Sequence, residues 1–232
     1  MPYRRLPKTD ASRLKALRAL TDNNDTYTVE ARFLDREMIS EARWLCERLS
    51  QALEQYQLCM RTQVRYAMRI TGLQHQAMMY LSHFLQVLFL AIERGEIPRD
   101  VLPMYGLERD TTVVPYLKTS EAVMEWAPKV IAGEKSRLKK GGRPVLTPSI
   151  GAVVTHFDVF KGMYDSQRQY QMRTKAALAD ISSLRERIDE VILSLWNQIE
   201  QHYENEPPEN RFAQCRRYGI VYYYRRHEPH LY

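Results

Sequence analysis

The stretch QAMMYLSHFLQVLFLAIERGEIP, Gln76 to Pro98, decides the fold class. It is the most apolar part of the chain. It could be a membrane span, a catalytic or metal-binding helix, or the inner helix of a bundle. The apolar run from Ala77 to Ile92 covers 16 residues and is broken by Ser82, His83 and Gln86. A spanning helix needs about 20 mostly apolar residues, which this run does not supply. Wound at about 100° per residue, Ser82, His83, Gln86, Glu93 and Arg94 gather in one sector. Leu81, Phe84, Leu85, Val87, Leu88, Ala91 and Ile92 fill most of the remainder. So wide an apolar face predicts a helix packed by several neighbours. Gly95 stands where a C′ residue belongs and Pro98 follows, so the helix should end as soluble helices do.

Upstream, apolar or small residues recur at Met38, Ala42, Leu45, Leu49, Leu53, Tyr56, Met60, Val64, Ala67 and Ile70. Steps of three and four trace one helical stripe beginning near Asp35. A break at Thr71-Gly72 is expected before the next helix. Closer to the start, TDASRLKALRAL reads as a short helix from a Thr9-Asp10 cap, and TDNNDTYT as a loop of turn formers.

Downstream, prolines interrupt residues 95 to 150, which should be irregular apart from a helix capped by Thr119 or Ser120 and kinked at Pro128. The last long helix should start near Ile150. In its second half Ile181, Leu184, Ile188, Val191 and Leu195 step three, four, three, four, a coiled-coil-like seam. Pro208 should open a short helix that ends before Gly219. Ile220 to Tyr224 is β-branched and aromatic, so it reads as a strand. Its partner is expected in PYRRL at the start of the chain, in TTVVPY, in RPVLT, or in another chain. Both faces of this strand are apolar or aromatic, and both are expected to be covered.

These elements define an all-α fold: an antiparallel bundle of three or four long helices with a small C-terminal β element. One domain, residues 1–232, is expected. The 232 residues suffice for a core, and 44% hydrophobic with 27% charged residues argues against wholesale disorder. Cys46, Cys59 and Cys215 form no CxxC pair, and no apolar segment follows the basic N-terminus. Both observations lead us to expect a cytoplasmic protein with free thiols.

The sequence carries no Walker A, GxGxxG, GxSxG, His-Glu-x-x-His or Glu-x-x-His pattern. His83, His156 and Asp158 are the best catalytic or metal-ligating set available. His156 and Asp158 lie two residues apart, which places them on different sides of a helix. The expectation is a non-enzymatic structural or protein-interaction protein, without cofactor or metal, whose partner is a protein, either a second copy or another chain. The alternative is nucleic-acid or anion binding. The net charge of +6, from 34 basic and 28 acidic residues, is modest for that role. Its candidate residues are Lys135, Arg137, Lys139, Lys140 and Arg143 around a glycine turn. Tyr222, Tyr223, Tyr224, Arg225 and Arg226 could add stacking and phosphate contacts, or serve as an interaction segment.

Four stretches together, PYRRLPKTD, SHFLQVLFLAIERGEI, GGRPVLTPSI and CRRYGIVYYYRR, resemble a group of uncharacterised proteins of about this length from the bacterial phylum Bacteroidetes. The resemblance spans nearly the whole chain. It implies a mostly helical bacterial protein and carries no activity or functional residue.

Overall fold

A computed structural model describes residues 3–26 and 32–225. The chain forms β1 (Tyr3–Arg5), α1 (Asp10–Thr26), α2 (Arg36–Glu93), a short 3-10 helix (Arg99–Tyr105), α3 (Ser120–Lys139), α4 (Ile150–His202), α5 (Pro208–Arg217) and β2 (Val221–Tyr223). The architecture is all-α, with long helices packed side by side and a two-stranded antiparallel element. No helix among the described residues is long and apolar enough to cross a membrane. The residues gather into two compact units. Unit 1 is Met1–Cys59 with Thr174–Tyr232, and unit 2 is Met60–Arg173. The 58-residue α2 and the 53-residue α4 each contribute to both.

The ends of α2 are set by local chemistry. The Asp35 carboxylate accepts the backbone N–H groups of Glu37 and Met38 at 2.8 and 3.0 Å. At the other end Gly95 takes φ +74°. Its N–H donates to the Ile92 carbonyl at 3.0 Å, and the Glu96 N–H donates to Ala91 at 2.9 Å. This is the Schellman closure expected of a glycine at C′. The break expected at Thr71-Gly72 does not occur. The Thr71 hydroxyl donates back to the Ala67 carbonyl. A glycine costs only about 1 kcal/mol in a helix interior, too little to stop one this long.

The turn-forming run after α1 was expected to be a loop, yet α1 continues to Thr26. Thr21 donates to the Leu17 and Arg18 carbonyls, and Asn23 to Ala19. The Asp25 carboxylate is held by Arg43 and Arg32. Polar side chains that favour turns are here bonded to the helix or to its neighbours, so they no longer compete with it. Tyr27 and Thr28 lie outside the described residues.

Unit 1 packs Leu17 and Leu20 of α1 against Leu45 and Leu49 of α2 and Ile188, Leu195, Trp196 and Ile199 of α4. Four of the five seam residues are buried, and Leu184 is half-buried. β2 lies antiparallel to β1, with Tyr3 opposite Tyr223, Arg4 opposite Tyr222 and Arg5 opposite Val221. The strand therefore pairs within the chain, with the N-terminal candidate. Only one of its faces is covered. Ile220 is buried and Tyr222 packs on the core, whereas Val221 and Tyr223 are exposed. A two-stranded ribbon laid on helices has one inner face. On the outer face the ring of Tyr223 leans on that of Tyr3, with centroids 5.8 Å apart.

Unit 2 buries Leu81, Phe84, Leu85 and Leu88 of α2 with Val123, Ala127 and Val130 of α3 and Val153 and Phe160 of α4. The quoted stretch is thus an inner helix. Thr119 caps α3 by accepting the Ala122 N–H, and α3 continues through Pro128 to Lys139. Gly133 lets α3 approach the 3-10 helix closely, since a Cβ there would sit 2.6 Å from the Met104 carbonyl oxygen.

Candidate functional site

The basic turn does not present all of its cations. Lys135, Lys139, Lys140 and Arg143 are exposed, but Arg137 is buried. Arg137 lies three residues after Glu134 on the inner side of α3. Its guanidinium donates to the Glu134 carboxylate at 2.7 and 2.9 Å, to the Tyr105 hydroxyl at 2.9 Å and to the Arg143 carbonyl at 2.7 Å. Tyr105 also donates to Glu134. Arg137 is therefore withdrawn from the anion-binding set, because an inward α3 position and an internal carboxylate claim it. Burial pushes the Glu134 carboxyl up. Hydrogen bonds from Arg137 and Tyr105, with the charge of Arg137, outweigh this and hold it below its ordinary value. Burial, then the bond to Glu134, drives Tyr105 well above the usual phenol range. The group closes on itself and ties α3 to the 3-10 helix and the following turn.

The tyrosine segment is also engaged. The Tyr222 hydroxyl donates to Glu200 at 2.6 Å, and its ring meets Phe212 edge-on. Glu200 accepts from Arg4 at 2.9 Å as well, so one carboxylate fastens both strands to α4. Tyr224 is half-buried, and the Arg225 guanidinium lies 4.4 Å from the centroid of Tyr3. Arg226 lies outside the described residues. His83 and Asp158 are exposed, and His156 is stacked on Tyr80 at 3.9 Å. Among the described residues no group of three or more His, Cys, Asp or Glu is placed to hold a metal ion.

Two features escaped the sequence reading. The first lies on the unit 2 part of α2. Met60 and Val64, part of the expected core stripe, are exposed, and so is Met68, by 75%. Beside them run Arg61, Arg65 and Arg69, also exposed and at the same four-residue spacing. On α4 the neighbouring Met172 is exposed, and Arg173 lies over the ring of Tyr170, which contacts Tyr66 of α2. The sequence held a signal for this surface: no Asp or Glu occurs between Glu54 and Glu93.

The second feature is a groove in unit 1, about 600 Å³ in volume. Arg5 of β1, Lys8 of the following loop, Lys15 of α1 and Arg216 of α5 converge on it, and Trp196 of α4 contributes to its wall. No family model matches the chain, and no curated protein or solved structure gives a significant match.

Proposed function

We propose that the chain is a non-enzymatic helical-bundle protein that docks an acidic protein partner on the unit 2 part of α2. The observation that carries this reading is the pairing of an exposed apolar row, Met60, Val64 and Met68, with an exposed arginine row, Arg61, Arg65 and Arg69. Residues four apart lie one above another on a helix. The two rows therefore present parallel apolar and cationic tracks. An amphipathic helix with acidic flanks matches both, its apolar side giving affinity and its charges setting register and rate. A second copy of the chain fits less well, because it would bring like arginine rows together. The free thiols Cys46, Cys59 and Cys215 fit work in the reducing cytoplasm.

Fluorescence anisotropy with a labelled acidic amphipathic peptide tests the reading. Binding should weaken as salt rises. It should fall by about tenfold or more in an Arg61→Gln, Arg65→Gln, Arg69→Gln variant, and by several-fold in Met68→Ser. The nucleic-acid alternative predicts a different pattern: a DNA duplex binds, and Met68→Ser changes nothing. That result, or no binding of the peptide at low salt, would contradict the proposal.

A further inference from the structure

Two groups of cations in unit 1 differ in what they face. Arg4, Arg13, Arg185 and Arg187 each reach a carboxylate: Glu200, Asp189, Asp10 and Glu41 respectively. They hold the fold together. Arg5, Lys8, Lys15 and Arg216 make no ion pair with any described residue, although all four border the same groove. They come from four different elements, so no helical repeat accounts for their meeting. No acidic residue lines the groove. Four like charges around one concavity repel one another, and a bound anion removes that cost.

The wall is apolar where the rim is charged. Leu6, Pro7, Ala16 and Ile220 line it beside Trp196. The Trp196 side chain is buried, and its indole N–H finds no acceptor among the described residues. A buried donor without a partner calls for an explanation, and a bound group supplies one. A concave apolar wall with a few converging polar groups is the usual form of a small-molecule site.

We infer that this groove binds a small organic phosphate. Arg5, Lys8, Lys15 and Arg216 hold the phosphate, and the organic body lies against Trp196. A phosphate monoester carries close to two charges and three acceptor oxygens, so it engages several donors at once. A monocarboxylate offers one charge and two oxygens. The inference stands apart from the α2 docking surface, and its test leaves that surface intact.

The experiment uses the full chain with Trp44→Phe and Trp126→Phe, so that Trp196 alone reports fluorescence. Phenyl phosphate, inorganic phosphate and benzoate are titrated separately. Phenyl phosphate should give a saturable change, with an affinity about tenfold or more above that of either other probe. Arg5→Gln with Arg216→Gln should weaken it by about tenfold or more. Both side chains are exposed, so far-ultraviolet circular dichroism should be unchanged. Lys8→Gln with Lys15→Gln provides a second, independent removal of charge. The inference is overturned by no saturable change, by equal affinity for inorganic phosphate or benzoate, or by unweakened binding in both charge variants.

Discussion

The two units solve one problem in opposite ways. Each must fasten its shorter elements in place. Unit 1 does so with a half-exposed ladder between the ends of the sequence. Arg185 grips Asp10 at 2.8 Å, Arg13 grips Asp189 at 2.7 Å, and Arg13 also reaches Asp10. Unit 2 does so with one buried group, Tyr105, Glu134 and Arg137, drawn from a single continuous stretch. The difference teaches where sensitivity lies. Exposed pairs are screened by water and salt and are worth little one at a time. A buried pair need not exceed an apolar replacement in stability, but losing one member strands a charge in the interior.

That contrast can be broken first at Glu134. Glu134→Ala leaves Arg137 buried without its carboxylate and should cost about 3–5 kcal/mol in urea denaturation. Leu88→Ala, in the same unit, should cost about 2–5 kcal/mol, because the side chain is fully enclosed among Phe84, Leu85 and their neighbours. A loss near zero at either position would remove that residue from the core described above. In unit 1, Asp189→Ala should cost only about 0.2–1 kcal/mol and lose its effect in high salt. His83→Ala should stay within about 0.5 kcal/mol of the parent, since the ring is exposed.

Acid sharpens the same comparison. The Glu134 carboxyl titrates below its ordinary value of 4.5 in the folded protein. Its contribution is complete above that ordinary value and is lost as pH falls through the lower folded one. Asp10 behaves likewise from its ordinary 3.8, lowered by the hydrogen bond from Arg185 against the opposing effect of burial. Stability followed by urea midpoint should therefore fall with acid below about pH 4.5. Glu134→Gln should flatten the upper part of that fall and Asp10→Asn the lower part.

The fold was largely legible. Helical periodicity and terminal chemistry placed both ends of α2, because Asp35 and Gly95 act locally, and periodicity placed the start of α4 near Ile150. The continuity of α2 through Gly72 was not legible, since a single glycine is a small cost against a helix held by tertiary packing. Nor was the extension of α1, which depends on Arg43 and Arg32 reaching Asp25 from elsewhere in the chain. The candidate site was harder to see. A stripe with steps of three and four identifies a helix face but not what covers it, so it places the exposed Met60 and Val64 with the core. The cationic groove draws on β1, α1, α4 and α5, and no local pattern joins those positions. Arg137 was misread although Glu134 stands only three residues away, because the burial of that pair depends on packing that no local pattern shows, with Tyr105 joining it from a different element.

Native-state hydrogen exchange tests most directly the claim that each unit is closed by its own polar clamp. In Glu134→Gln, amides of α3 and of α2 near Leu85 and Leu88 should lose protection, while those near Leu45 in α2 and Ile188 in α4 keep it. In a variant with Asp10→Asn and Asp189→Asn, which opens the unit 1 ladder, the pattern should reverse, with loss confined to unit 1. Equal loss throughout α2 and α4 in both variants would show that the chain opens as one cooperative body and would contradict the claim.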